Sequence, residues 1–319
     1  MGAADAVPGV SGGTIAFISG IYEELISTIS GINLGLFKKL QKEGFASFWQ
    51  ALNGNFLIAL LIGIIVSFVS FMRLAKYLIE YHPVLIWSFF FGLIIASIYL
   101  VGKQITKWNL ATVVTLLVGA LIAYYITLIP SSANNESPFF LFFAGAIAIC
   151  AMILPGISGS FILVILGAYK TLSDALHDFD FKRIAIFVIG ALAGLLSFSH
   201  LLKWLFRHYH NITLALLTGF IFGSLNKVWP WKMTQTVMQK TSGNVVPFSE
   251  VSELGNLTLY QQQIGDFESY KVVTEKSILA VRYSELNNQI DSQWLLAIFL
   301  MVVGFLTIFI LEKLGKKNR

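Results

Sequence analysis

The stretch PGVSGGTIAFISGIYEEL, Pro8–Leu25, returns 147 positions later as PGISGSFILVILGAYKTL, Pro155–Leu172, and nine of the 18 positions are identical. The shared residues are Pro8, Gly9, Ser11, Gly12, Ile15, Ile18, Gly20, Tyr22 and Leu25. Apolar helices resemble one another by chance, but chance does not also align the proline, the glycines and the tyrosine. Each copy is a glycine-rich break, at Pro8–Thr14 and Pro155–Ser160, inside an apolar stretch, Met1–Ile29 and Pro138–Leu176. A bilayer tolerates a broken span only where protein or a wet cavity covers the freed backbone. Both are therefore read as re-entrant hairpins: a short helix, the break near mid-depth, and a second short helix returning to the same side.

The surrounding sequence is that of a membrane protein. Of the 319 residues 56% are hydrophobic and 12% charged, against roughly 45–50% and about 25% in soluble domains, and the mean hydropathy is +0.75. A soluble enzyme, a disordered scaffold and a nucleic-acid-binding domain are excluded. A transmembrane helix needs about 20 mostly apolar residues. Six stretches qualify: Phe56–Ile79, Val84–Val101, Leu110–Ile129, Ile184–Phe206, Ile212–Val228 and Trp294–Leu311. The net charge of +5 is a topology signal. A cytoplasmic C-terminal tail, Glu312–Arg319, puts Lys38, Lys39, Lys42, Lys103, Lys107 and Arg207 on the same side, and leaves the opposite short loops, Tyr81–Pro83 and Pro130–Ser137, without Lys or Arg. Lys182 and Arg183 are the exceptions. The polar segment Trp229–Gln293 then lies outside, and its patches SYKVVTE and ILAVRYS predict a small β-containing cap. The single cysteine, Cys150, permits no intrachain disulfide and no cysteine-type zinc site.

Beyond the breaks the self-match resumes at an offset of 127. Ile62, Gly63, Ser70, Phe71, Leu74, Lys76 and Leu78 fall on Ile189, Gly190, Ser197, Phe198, Leu201, Lys203 and Leu205, and Gly92, Ile94 and Ser97 on Gly219, Ile221 and Ser224. The change of 20 predicts one longer loop in the first half. Each half, 1–130 and 131–319 with the insertion 229–293, is one hairpin plus three spans. Three is odd, so the second half enters the membrane upside down. The fold expected is an all-α polytopic membrane protein with an inverted repeat, an architecture whose substrate sites lie near the midplane where broken helices meet. Only seven residues precede Pro8, against 17 from Pro138 to Leu154 before Pro155. Either the first hairpin is half-built or Met1 is an internal methionine of a longer chain.

A helix that starts inside the bilayer offers first-turn amides without intrahelical partners and the positive end of its dipole, so two facing starts make an anion site. The candidates are Pro8, Gly9, Val10, Ser11, Gly12, Gly13 and Thr14 with Pro155, Gly156, Ile157, Ser158, Gly159 and Ser160. Glycine admits a ligand close to the backbone and proline wastes no donor. The bland alternative for PG and GG is tight turns and close helix packing. Intramembrane charge is costly and marks function by default. Asp5 suits a coupling or proton-carrying carboxylate, or a local cap. Arg73 is placed to reach a phosphate, or to snorkel; its counterpart His200 is read as structural. Lys76 and Lys203 are read as helix-end anchors, and Glu23 and Glu24 as solvated rim. No metal-ligand spacing is present and no cofactor is expected.

GAADAVPGVSGGTIAFISGIYEELI and AICAMILPGISGSFILVILGAY resemble the paired signatures of the bacterial polyprenyl-phosphate transporter family, known as PopT and formerly a domain of unknown function. The resemblance covers nearly all of the chain except Trp229–Gln293. It implies a multi-pass protein of the bacterial plasma membrane that returns undecaprenyl phosphate, the lipid carrier of surface glycans, from the outer to the cytoplasmic leaflet. It makes Asp5, Pro8–Thr14, Gly20, Tyr22, Pro155–Ser160, Gly167 and Tyr169 motif positions. Two rival classes remain. An undecaprenyl-pyrophosphate phosphatase would have an arginine after the loop serine, where this chain has Gly12 and Gly159, and a facing Glu pair that is missing here. A small inorganic anion channel or exchanger would need an aqueous path lined by polar residues, which the spans lack. The coupling ion, proton or sodium, and the oligomeric state are left open.

Overall fold

The structure, a computed structural model, describes residues 1–2, 12–129, 137–155, 159–168, 171–172, 174–175, 178–251, 267, 269–286 and 292–317. In chain order its elements are α1 (Gly12–Ile18), α2 (Tyr22–Ser30), α3 (Leu34–Ala51), α4 (Gly54–Tyr81), α5 (Pro83–Lys103), α6 (Leu110–Leu128), α7 (Pro138–Ile153), α8 (Gly159–Leu166), α9 (Phe181–His208) and α10 (His210–Gly223). Then come β1 (Lys232–Gln239), β2 (Val245–Pro247), β3 (Tyr270–Ser277), α11 (Ala280–Leu286) and α12 (Trp294–Lys317). The protein is a mostly helical, polytopic membrane protein. Among the described residues five helices, α4, α5, α6, α9 and α10 with the turn that follows it, are long and apolar enough to cross a membrane. The sixth expected span lies in α12, apolar over Trp294–Ile310.

Local chemistry sets several of these boundaries. Asn109 and Thr112 form a reciprocal capping box at the start of α6. The Asp180 side chain accepts from the amides of Lys182 and Arg183 at the start of α9. Pro83 and Pro138 occupy first-turn positions, where a missing N–H costs nothing. Most of the 20-residue addition in the first half is the 18-residue helix α3 rather than a loop, with Asn33 as its cap.

The offset of 127 seen in the sequence recurs in the backbone. α4 and α9 have the same length, 28 residues, and their bounds differ by 127 at both ends. His82 and Tyr209, also 127 apart, precede α5 and α10 with nearly the same angles, φ −140° and −133°. Gly20 and Gly167, 147 apart, both turn left-handed, at φ 73° and 74°. Helix contacts recur too, with the halves interleaved: α5 packs on α12, and α10 packs on α6. In the first pair Gly92 lies against the Met301 backbone and Gly304 against Phe89; in the second Gly219 lies against Leu116 and Gly119 against Leu216. Leu116 and Met301 are 185 positions apart, as are Gly119 and Gly304. Small residues at these crossings let the backbones approach, the usual way that membrane helices gain packing energy without a hydrophobic driving force.

Side-chain contacts identify the two ends of the bundle. At one end Thr106 donates from its amide and hydroxyl to Asn211 Oδ1, at 2.9 and 3.2 Å, His210 Nδ1 lies 3.9 Å from Glu23, and Asn53 Nδ2 donates to Glu24 at 2.9 Å. These contacts gather the ends of α5 and α9, bearing Lys103 and Arg207, with the start of α4. At the other end Asn226 Nδ2 lies 3.4 Å from Thr127 Oγ1, beside the polar insertion.

That insertion forms a cap. β1 is the centre of a three-stranded antiparallel sheet ordered β2-β1-β3. The expected strand in SYKVVTE is β3, but ILAVRYS is the helix α11. Helix-favouring Ala280, Arg282, Glu285 and Leu286 lie in it, and Arg282 and Glu285, three apart, pair at 2.8 Å. Trp231 and Tyr283 of the cap pack with Val84 of α5 and Ala297 of α12. A buried charge cluster completes the attachment. Lys232 Nζ lies 3.3 Å from Glu275 Oε2, donates to the Lys227 carbonyl at 2.6 Å, and sits 4.3 Å over the Trp87 ring of α5. Lys227 reaches the same carboxylate oxygen at 3.4 Å. Burial pushes the Lys232 ammonium below its ordinary value, against the pull of Glu275. Burial alone would raise the Glu275 carboxyl, but Lys232 and Lys227 outweigh it and hold it low.

Candidate functional site

The helices on either side of the second glycine break, α7 and α8, pack against each other. α7 runs parallel to α9, with Gly190 against Phe142 and Gly194 against Ala146. After Pro155 the chain turns back as α8: Gly159 lies against Ala148 and Met152, and Leu163 packs with Ala144 and Ala148. α8 therefore runs back toward the end where α9 begins. The helices after the first break sit at the opposite end of α9. Phe17 packs tilted and Tyr22 edge-on against Phe206, with ring centroids 6.4 and 6.1 Å away. Glu23 lies near His210, and Glu24 accepts from Asn53 there.

The two regions meet. The Tyr22 hydroxyl donates to the Ile153 carbonyl at 3.1 Å, across 131 positions of sequence. Ile153 ends α7 two residues before Pro155, so its carbonyl is one of the four that a helix end leaves without an internal partner. Tyr22 is 2% exposed, and in apolar surroundings that carbonyl is costly to leave unpaired. α1 also touches α7, and Ile15, Ile153 and Leu154 pack on one core with Ala16, Phe90 and Ile94.

Of the candidate residues, Gly12, Gly13 and Thr14 form the first turn of α1 and are buried, Thr14 to 2% exposure. Pro155 and Gly159 are buried at the second break, and Ser160 follows in the first turn of α8. Asp5, Pro8, Gly9, Val10, Ser11, Gly156, Ile157 and Ser158 lie outside the described residues, as does Tyr169. Arg73 is in the last third of α4. His200 is exposed on the side of α9, its Nδ1 2.7 Å from the Leu196 carbonyl oxygen. Among the described residues no group of His, Cys, Asp and Glu is arranged to hold a metal ion. The sequence marks Tyr22 as a repeated position, but its contact with the end of α7 is not legible there.

A family described as undecaprenyl phosphate translocase-like matches residues 1–246. The chain belongs to that family. A polyprenyl-phosphate transporter of Vibrio cholerae serotype O1 is 42% identical over 317 residues, covering 99% of this chain and 94% of the relative. A polyprenyl-phosphate transporter of Staphylococcus aureus is 34% identical over 256 residues, covering 75% of this chain and 86% of the relative. No solved structure matches. For this member of the undecaprenyl phosphate translocase-like family, the family match spans both glycine breaks and most of the described helices, and stops within the cap.

In this translocase-like chain the bridge is testable by removing one oxygen. Tyr22→Phe keeps the ring contacts with Phe17 and Phe206 and leaves the Ile153 carbonyl unsatisfied, which costs about 1–3 kcal/mol. A lower thermal midpoint in detergent is expected, with Phe17 and Phe206 contacts intact by crosslinking or spectroscopy. An unchanged midpoint would show that the hydroxyl contributes nothing to joining the two regions.

Proposed function

We propose that the protein is a flippase that returns undecaprenyl phosphate from the outer to the cytoplasmic leaflet, holding the phosphate between the two glycine breaks at mid-membrane. The observation that carries this reading is the Tyr22–Ile153 hydrogen bond, which joins α2, in the repeat segment of the first half, to the helix end beside Pro155. Further support comes from the opposite ends at which α1–α2 and α7–α8 lie, as two inversely inserted halves, 1–130 and 131–319 with the cap 229–293, would require. The names of the two relatives supply the substrate class. In this reading the basic end of the bundle, with Lys103 and Arg207, is cytoplasmic, in a bacterial plasma membrane.

The physics suits such a substrate. Moving a bare phosphate through hydrocarbon costs on the order of tens of kcal/mol by Born estimates, whereas a prenyl tail is at home in lipid. The protein need shield only the headgroup. Helix starts at Gly12–Thr14 and Gly159–Ser160 would present amides and hydroxyls to the phosphate oxygens, and Arg73 would neutralise part of its charge. Rocking of the hairpins would open the pocket to each side in turn, with Asp5 as the coupling carboxylate for a proton or sodium ion. The reading is non-enzymatic, since no arginine follows the loop serines to stabilise a hydrolytic transition state.

The test is a leaflet-orientation assay for undecaprenyl phosphate in reconstituted vesicles. Asp5→Asn, Arg73→Ala and Ser158→Ala are each expected to slow movement, and Asp5→Asn also to flatten its pH dependence. Unchanged rates in all three would overturn the site. Release of inorganic phosphate, or chloride uptake without movement of the lipid carrier, would replace the transport reading with the phosphatase or the channel.

A further inference from the structure

The helix α3 has no counterpart in the second half. Leu25 and Leu172 are 147 apart and Gly54 and Phe181 are 127 apart, so its 18 residues fall within a 20-residue addition at one end of the bundle only. Its first ten residues, LGLFKKLQKE, divide by face. Lys38, Lys39 and Lys42 are spaced i, i+1, i+4, and Leu36, Phe37 and Leu40 carry the same spacing on the other side of the helix. Leu36 alone of these is buried; Phe37 and Leu40 are exposed beside three exposed lysines. Past a kink at Gly44, φ 82°, exposed Phe45 stacks on Trp49 with centroids 5.6 Å apart, and Phe48 lies 6.4 Å from Phe37. The helix is held to the bundle at its far corner, where Trp49 covers Gly54 and its indole N–H donates to Asn55 at 2.9 Å.

Gly54 begins a membrane-spanning helix. A helix that hands directly into a span sits at the level of the lipid headgroups, and an exposed apolar face bordered by lysines is the pattern of helices that lie in that plane. We propose that α3 is an interfacial lipid-binding helix, with Phe37, Leu40 and Phe45 in the acyl boundary and Lys38, Lys39 and Lys42 among the headgroups of anionic phospholipids of a single leaflet. The charge of the segment supports an anionic partner, with three lysines against Glu43 as its single acidic residue. The bulk leaflet lipid is thus a ligand of a surface separate from the glycine breaks, and this inference does not rest on the transport reading.

The test uses the whole protein in vesicles of phosphatidylcholine alone or with added phosphatidylglycerol. In a Cys150→Ala background, nitroxide labels at Leu40→Cys and Lys39→Cys are compared for access to oxygen and to a water-soluble relaxant. The Leu40 label is expected to lose access to the aqueous relaxant, more so with phosphatidylglycerol, while the Lys39 label keeps it. Adding Lys38→Gln and Lys42→Gln should remove the phosphatidylglycerol dependence. For the unmodified chain, amide exchange over residues 36–43 should slow when phosphatidylglycerol is added. Equal aqueous access at Leu40 and Lys39, or exchange indifferent to lipid charge, overturns the proposal. So does dipolar broadening between Leu40 labels, which would mean that a second copy of the chain covers the face.

Discussion

Gly92→Ala and Gly219→Ala are each expected to collapse the bundle's packing. At both positions a Cβ would run into backbone, Met301 in one case and Leu116 in the other, and backbone cannot swing aside as a side chain can. Overpacking of this kind costs typically about 1–3 kcal/mol, and contact with a carbonyl of a neighbouring helix puts both substitutions at the upper end. Because the two glycines occupy equivalent crossings of α5 with α12 and of α10 with α6, the two losses should be similar. Gly63 is the control. It sits in α4 with nothing within 4 Å of a would-be Cβ, so Gly63→Ala should leave stability unchanged or slightly higher, as alanine is the better helix former. Thermal stability in detergent, read by fluorescence-detected gel filtration, checks all three. Equal behaviour of Gly63→Ala and Gly92→Ala would show that the close crossings are not what holds the halves together.

Glu275→Gln should detach the cap from the bundle. The substitution leaves Lys232, 4% exposed, and Lys227 together without their shared carboxylate. Removing one partner of a buried ion pair costs about 3–5 kcal/mol. Limited proteolysis should then cut within the cap while the helices survive. The sign of the pH response separates this cause from general loosening. In the wild type Glu275 is held below its ordinary value, so its contribution is present above the unfolded carboxylate range and is lost as pH falls through the folded value. In Glu275→Gln that acid-side loss disappears. The burial that already lowers Lys232 acts unopposed, the folded cap binds fewer protons than the unfolded one, and stability should climb as pH rises toward the ordinary lysine value. A variant as resistant to protease as the wild type, or one with the wild type's acid sensitivity, would remove the cluster from the account of how the cap is held.

The spans, the two glycine breaks and the repeat are legible in the residues alone, because each is a local signal. Apolar length is set by bilayer thickness, and a proline followed by glycines interrupts a helix wherever it falls. The offsets of 147 and 127 read from residues such as Gly20, Gly63 and Gly92 recur in backbone angles and helix bounds. Local pattern also misled in places. ILAVRYS alternates like a strand but lies mostly in α11, where propensity and the Arg282–Glu285 pair prevail, and most of the 20-residue addition in the first half is the amphipathic α3, whose kink at Gly44 blurs its period. Which elements face each other is fixed by the three-dimensional packing. That α5 pairs with α12 rather than with its neighbour α6, that Tyr22 reaches Ile153, and that Lys232 shares Glu275 with Lys227 over Trp87 all depend on contacts between residues tens to hundreds of positions apart. Such pairings come from the joint packing of every helix around one core, and no single segment carries the information.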